Sequence, residues 1–214
     1  MNNTTTPTQV KFTAPKIKIN IGSGFKRFAG YVNVDDDSGV KPDYVVCLDD
    51  RNLVLPFHDN QVEAVIAHHI LEHIGEGFIR LMQELYRVCE HGALIDIRVP
   101  HHFHEIFIND PTHKRPITVE GMRLFSKKYM DESIRSMGSS NGMAYKFHVD
   151  FEVAWYDFVH DPFYRPMMED FYKRQGAGTV SEQEAFQFQR LFREANNTTL
   201  ETLMKLVVVK EPHA

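Results

Sequence analysis

The stretch INIGSGFKRFAGYVNVD, residues 19–35, places a glycine-rich turn between two short apolar runs. Residues 16–21 alternate polar and apolar side chains before the GSG turn at residues 22–24, which predicts a strand that ends in a tight turn. Residues 31–34 predict a second strand, and Asp35 follows it directly. Glycines let a backbone pass close to a ligand, and an acid at the tip of the next strand can accept hydrogen bonds from a ribose. The stretch therefore fits a site for a ribose-containing ligand.

The spacing of this motif disfavours NAD. The dinucleotide motif requires a third glycine at position 27, where the chain has Arg27. It also requires an acid about 20 residues after the turn, and Asp35 comes much sooner. The P-loop pattern of nucleoside triphosphatases does not occur in the sequence.

The elements that follow alternate between strand and helix. Apolar runs predict strands over residues 44–47, 62–67 and 93–99. Apolar side chains at three- and four-residue spacing predict a helix over residues 75–88, which Gly92 is expected to end. Strands that alternate with helices pair in parallel and form a layered α/β domain.

The second half of the chain predicts more helix. Residues 126–137 predict a helix, and the aromatic and β-branched residues within 145–158 predict a strand. Residues 161–197 predict a mostly helical insertion, and residues 202–210 predict a closing strand.

Length and composition indicate one intracellular domain. The 214 residues are 43% hydrophobic and 25% charged, which suits a globular domain with a sizeable core. We expect a frayed start over residues 1–15 and a single domain over residues 16–214. A net charge of -5 disfavours binding to bulk nucleic acid. Two isolated cysteines, no signal peptide and no apolar stretch of membrane-spanning length favour a cytoplasmic protein without membrane contact.

Three further segments fit the same pattern. They are LPFHDNQVEAVIAHHILEHI (55–74), ELYRVCEHGALIDIRVPH (84–101) and DPTHKRPIT (110–118). Together with the opening stretch, they resemble the small class I S-adenosylmethionine-dependent methyltransferases in order and spacing. The resemblance covers residues 17 to about 102. It implies a Rossmann-like, doubly wound, mostly parallel seven-stranded sheet with helices on both faces and an antiparallel last strand.

The resemblance also implies S-adenosylmethionine as cofactor and a set of cofactor-binding residues: Gly22, Ser23, Gly24, Asp35, Asp49, His68 and His69. The glycine turn would pass beneath the methionine moiety, Asp35 would bind the ribose and Asp49 would reach the adenine amino group. The two histidines would line the methionine side. Glu72 and His73 fall on the family's LEH segment, where they suit the start of a helix. The chain departs from the family at residues 25–30, which are too few for the usual crossover helix.

The stretch PHHFHEIFINDPTH, residues 100–113, follows the last predicted parallel strand and should lie at the carboxyl edge of the sheet. Its catalytic candidates are His101, His104, Asp110 and His113. A neutral histidine can take the proton that an oxygen or nitrogen acceptor must lose. We expect His101 or His104 to be this base, with Asp110 or Glu105 orienting the ring.

Two other interpretations of this stretch stay open. In the structural one, Asp110 forms an Asx-type turn and His113 bonds across the loop. In the metal one, His102 and His104 share a face of an extended segment, and His113 or Asp110 completes the site. Our expectation is that the loop holds no metal and that His113 is tied to Asp110 in the turn.

The function that these patterns favour is methyl transfer to an oxygen or nitrogen atom of a small-molecule acceptor. The first alternative is a non-catalytic protein of the same fold. The second is a metal-dependent enzyme that uses the histidine-rich loop. Nothing in the sequence names the acceptor or the oligomeric state.

Overall fold

The computed structural model describes residues 14–137, 142–194 and 196–210, so the expected frayed start lies almost wholly outside the described residues. The strands are β1 (Ile17–Ile21), β2 (Tyr31–Asp35), β3 (Tyr44–Val45), β4 (Val62–His68), β5 (Cys89–Pro100), β6 (Phe151–His160) and β7 (Thr199–Val208). The α-helices are α1 (Phe78–Val88), α2 (Glu105–Asn109), α3 (Val119–Arg123), α4 (Lys127–Met137), α5 (Met143–Lys146), α6 (Arg165–Gly176) and α7 (Glu182–Glu194). Short 3₁₀ helices lie at Ser38–Val40 and Leu71–His73.

All seven strands form one sheet in the order β3-β2-β1-β4-β5-β7-β6. Strands β1 to β5 pair in parallel, and β7 is antiparallel to both β5 and β6. The predicted α/β fold, a mostly parallel sheet with an antiparallel last strand, is confirmed. Strand order reverses between β1 and β4, and ligands of open α/β sheets bind at the carboxyl edge beside such a reversal.

The core forms where the sheet meets α1. In β5, alternate residues point inward, and Ala93, Ile95, Ile97 and Val99 are buried. Helix α1 buries one face with residues at three- and four-residue spacing: Phe78, Leu81, Met82, Leu85 and Val88. Burial of each large side chain contributes about 1.5–3 kcal/mol, so this layer fixes the frame on which the loops of the carboxyl edge rest.

The connection from β1 to β2 is short. Residues 22–30, all of them described, link the two parallel strands without a helix. This agrees with the shortened crossover expected from the sequence. Phe25 in this link is 87% exposed, whereas Phe28 packs its ring against His68 of β4.

Two predicted boundaries are wrong. Helix α1 ends at Val88, and β5 starts at Cys89, where the backbone is already extended. Gly92 therefore does not end a helix; it lies inside β5 with a φ of +81°, where the pairing with β4 is irregular. Strand β6 begins at Phe151 rather than near residue 145, because residues Met143–Lys146 form α5.

Helices α6 and α7 occupy the segment in which the sequence predicts a helical insertion, between β6 and β7. The rings of Phe171 and Phe188 stack between these helices at 3.6 Å. Among the helices described, none is long and apolar enough to cross a membrane.

Candidate active site

The glycine turn after β1 has a conformation that only glycine adopts easily. Gly22 and Gly24 have φ values of +59° and +49°, in the left-handed region. A Cβ on Gly22 would lie 2.4 Å from Cγ1 of Ile70, so the segment that follows β4 in the sequence packs directly against this turn. Ser23 is buried, and its backbone N–H donates to the carbonyl of Val34. The turn is therefore locked between β2 and the segment that follows β4.

Asp35 ends β2 and ties the glycine turn in place. Its Oδ2 accepts from the backbone N–H of Gly24 at 2.7 Å, and its Oδ1 accepts from the N–H of Asp37 at 3.0 Å. Asp35 is only 9% exposed. A carboxylate has about four lone-pair sites, so each oxygen keeps capacity for one more donor.

A first cavity of about 540 Å³ opens beside this turn. Its wall comes from the carboxyl ends of neighbouring strands and from the loop beyond β5: Gly22, Asp35, Asp36, Leu48, Asp49, Ile70, His73, Ile74, Thr112 and Lys114. Small-molecule sites typically measure about 300–1,000 Å³. The first cavity has this size and lies at the strand-order reversal.

Asp49 lines the first cavity with both carboxylate oxygens already bonded. Oδ1 accepts from the N–H of Gly77 at 2.8 Å, and Oδ2 accepts from Nζ of Lys114 at 2.6 Å. Burial opposes ionisation of Asp49, but the bonds from Lys114 and Gly77 outweigh it and hold its pKa below the usual value. The carboxylate remains ionised at neutral pH and can accept one further donor, such as an amino group.

The two histidines at the end of β4, His68 and His69, do not line the first cavity. Nε2 of His68 lies 3.1 Å from Asp96, and the His68 ring meets the edge of Phe28. His69 contacts Glu201 at 3.1 Å and Glu72 at 3.6 Å. Glu72 and Glu201 hold the pKa of His69 above its usual value despite partial burial.

A second cavity of about 740 Å³ adjoins the first, and the two share His73 and Thr112. The other residues that line it are His69, Glu72, Pro100, Ile106, Asn109, Asp110, Pro111 and His113. Asp110 forms the expected Asx turn, since its Oδ1 accepts from the N–H of Thr112 at 2.8 Å and from its hydroxyl at 2.6 Å. His113 bonds across the loop, because Nδ1 lies 2.7 Å from the carbonyl of Phe107.

The remaining loop histidines face away from both cavities. His104 is 3% exposed; its Nδ1 accepts from the N–H of Ile106 at the start of α2, and its Nε2 lies 3.3 Å from Asp161. This gives His104 a structural role. His101 and His102 line a third cavity of about 590 Å³ with Tyr156 and Phe158. Burial, reinforced by neighbouring histidines, lowers the pKa of His101 to about 4.

The histidine-rich stretch is thus divided by the fold. In the described part of the chain, His102 and His104 do not converge with His113 or Asp110 on one point, so the metal set considered from the sequence does not form. The side chains that converge are instead Glu72, His73 and His113. Sequence reasoning missed this set, although the HHxxEH spacing at residues 68–73 offered a signal.

The glycine turn and the strands around it match a known domain. Residues 21–96 match the sequence profile of a family described as a methyltransferase domain. No curated protein matches the chain.

Solved structures share the fold at low sequence identity. A SAM-dependent methyltransferase from Archaeoglobus fulgidus is 15% identical with a TM-score of 0.56, over 90% of this chain and 86% of that one. A putative methyltransferase from Bacillus halodurans is 14% identical with a TM-score of 0.51, over 94% and 95% of the two chains. Phosphoethanolamine N-methyltransferase 2 from Haemonchus contortus, in complex with phosphomonomethylethanolamine and S-adenosylhomocysteine, is 14% identical with a TM-score of 0.50, over 93% of this chain and 50% of that one. Over residues 21–96 the chain is therefore similar to a methyltransferase domain, and its fold is that of S-adenosylmethionine-dependent methyltransferases.

Proposed function

We propose that the protein transfers a methyl group from S-adenosylmethionine to an oxygen or nitrogen atom of a small molecule. The observation that carries this proposal is the pair of adjoining cavities at the carboxyl edge of the sheet, which share His73 and Thr112. One cavity is suited to the cofactor and the other to the acceptor.

The first cavity takes the cofactor in this proposal. Asp35 has free lone pairs for two ribose hydroxyls, while its bonds to Gly24 and Asp37 hold the carboxylate in place. The glycine turn brings backbone within reach of the methionine moiety because it carries no Cβ. Asp49 offers an ionised acceptor to the adenine amino group.

The second cavity takes the acceptor. A lone pair on the acceptor forms the new bond to the methyl carbon while the carbon–sulfur bond breaks, and its electron pair stays on the sulfur of S-adenosylhomocysteine. The proton that a hydroxyl or amine acceptor loses passes to solvent. The protein contributes mainly alignment of the two reactants across the shared wall. Of the four loop residues expected to be catalytic, Asp110 and His113 line this cavity, so the proposed site keeps these two and omits His101 and His104.

Calorimetric titration of the untagged protein with S-adenosylhomocysteine tests the cofactor assignment. We expect saturable binding to the wild-type protein and at least about 10-fold weaker binding to Asp35→Asn, which retains the side-chain size but loses the charge. The control is Asp157→Asn, since Asp157 is exposed and lies outside the first cavity.

Two outcomes would contradict the proposal. One is an absence of heat with both S-adenosylhomocysteine and S-adenosylmethionine at millimolar concentration, on protein shown by circular dichroism to be folded. The other is stronger binding of NAD than of either compound. Binding without methyl transfer to any of a panel of hydroxyl and amine acceptors would favour the non-catalytic alternative.

A further inference from the structure

Glu72 is the least expected residue of the second cavity. It is 1% exposed, and neither carboxylate oxygen has a hydrogen-bond partner among the residues that the structure describes. Nδ1 of His69 lies 3.6 Å from Oε1, which is too long for a hydrogen bond. The other nitrogen of His69 is occupied by Glu201. A buried, unbonded carboxylate is strongly unfavourable unless a cation reaches it.

Two imidazoles stand beside this carboxylate. One ligand atom from each of Glu72, His73 and His113 lies within 4.8 Å of the others. Across residues 14–137, 142–194 and 196–210, this is the only group of three or more His, Cys, Asp or Glu side chains that converges so closely. Bonds of about 2.1 Å to one ion place neighbouring ligand atoms about 3–4 Å apart, so shifts of about 1 Å complete the set.

Hydrogen bonds fix which nitrogen each imidazole presents. The hydroxyl of Thr112 donates to Asp110, so it accepts from Nδ1–H of His73, 2.9 Å away. Nδ1–H of His113 donates to the carbonyl of Phe107. The neutral form of each ring therefore has its N–H at Nδ1 and its lone pair at Nε2, which is the tautomer that binds metals through Nε2.

The two segments that supply these groups are held together by backbone contacts. The N–H of Lys114 donates to the carbonyl of Glu72 at 2.8 Å, and Nε of Arg115 donates to the carbonyl of Ile74 at 2.9 Å. The carboxylate of Asp110 adds further negative charge, since Oδ2 lies 3.8 Å from Nε2 of His113. The ligand groups are thus positioned before any ion binds, as a metal site requires.

We infer that Glu72, His73 and His113 bind a divalent transition-metal ion at the junction of the two cavities. Two imidazoles and one carboxylate suit Zn²⁺, Fe²⁺, Co²⁺ or Mn²⁺ better than Mg²⁺ or Ca²⁺, which prefer oxygen ligands. Three protein ligands leave coordination positions open towards the cavities. The role of the ion rests on the proposed function: it binds the acceptor through an oxygen or nitrogen lone pair and holds that atom beside the methyl group.

The test uses untagged wild-type protein that has been stripped with chelator, then titrated with Mn²⁺ or Zn²⁺ alone in a calorimeter. We expect one equivalent to bind and to raise the melting temperature. Glu72→Gln should bind the ion at least about 10-fold more weakly and lose the metal-induced shift, and His113→Gln should behave in the same way. His102→Gln is the matched control, because His102 lines the third cavity, and it should bind the ion as the wild type does.

The metal-free comparison separates a metal site from a structural carboxylate. Without metal, Glu72→Gln removes an unbonded charge and should melt at or above the wild-type temperature. Binding of neither ion by folded wild-type protein, or equal binding by Glu72→Gln, would overturn the inference. If S-adenosylhomocysteine binds while neither ion does, only this inference fails. If an ion binds while S-adenosylhomocysteine does not, the proposed function fails and the metal site stands.

Discussion

Gly22→Ala and its control, Gly24→Ala, share the cost of a left-handed backbone and differ only in steric overlap with Ile70. Gly22→Ala adds a Cβ that would lie 2.4 Å from Cγ1 of Ile70 and 2.6 Å from both its Cβ and Cδ1. Gly24→Ala adds a Cβ with no atom within 4 Å. Both glycines have a left-handed φ, so both substitutions carry a similar backbone penalty.

The magnitudes follow from these two terms. A left-handed backbone costs a non-glycine residue about 1–2 kcal/mol. Overpacking of a tight contact adds about 1–3 kcal/mol. We therefore expect the free energy of unfolding to fall by about 1–2 kcal/mol for Gly24→Ala and by about 2–5 kcal/mol for Gly22→Ala. Because Gly22 and Ile70 both line the first cavity, Gly22→Ala should also weaken S-adenosylhomocysteine binding.

Urea unfolding followed by circular dichroism measures both variants, with calorimetry for the ligand. Ile70→Ala removes two of the three carbons that a Cβ on residue 22 would overlap. Gly22→Ala should therefore destabilise the Ile70→Ala protein less than it destabilises the wild type. Equal stability of Gly22→Ala and Gly24→Ala, or no coupling with Ile70, would refute the close approach on which the geometry of the turn depends.

Three further predictions concern the hydrogen bonds of Asp35, the buried carboxylate of Glu84 and the effect of pH on His101. Asp35→Ala should lower the free energy of unfolding by about 2–4 kcal/mol, because the N–H groups of Gly24 and Asp37 lose their acceptor; urea unfolding that matches the wild type would contradict this. Glu84→Gln should cost about 3 kcal/mol, since the 2%-exposed carboxylate bonds Arg87 and the N–H of Leu55. The control is Glu63→Gln at the surface, which should change the free energy of unfolding by less than about 0.5 kcal/mol. Equal losses in Glu84→Gln and Glu63→Gln would argue against a stabilising Glu84–Arg87 pair. For pH, burial lowers the pKa of His101 to about 4, whereas the unfolded imidazole binds its proton near 6.5. The contribution of neutral His101 to the free energy of unfolding is therefore fully present above pH 6.5. It falls as the pH drops towards 4, by on the order of 1–2 kcal/mol after allowance for partial exposure. Melting temperatures from pH 7.5 to 4.5 should show this decline, with a smaller decline in His101→Gln; identical profiles would contradict it.

Local sequence patterns predict much of the fold. The apolar runs and the glycine turn predict β1, β2 and β4, because each signal lies within a few residues of the strand that it marks. The end of α1 is not predictable from Gly92, because tertiary pairing with β4 extends the backbone from Cys89 onward. A glycine with positive φ suits a strand irregularity as well as a helix end.

The sequence predicts only those site residues whose position is set by an adjacent strand. Gly22 and Asp35 are placed by the strands that precede them, and the structure brings both to one cavity. The convergence of Glu72 with His113 depends on backbone bonds between segments that are distant in the chain, and no periodic pattern signals such bonds. The inward position of His104 likewise depends on Asp161, which lies beyond β6.

The position of β7 between β5 and β6 dictates when the sheet can be completed during synthesis. Residues Phe151–His160 leave the ribosome before residues Thr199–Val208, so β6 has no neighbouring strand to pair with in the interval. Helices α6 and α7 need only local contacts and can form during this wait. The nascent chain therefore carries an unpaired strand with Trp155, Tyr156 and Phe158, the kind of segment that chaperones bind and that aggregates when translation stalls.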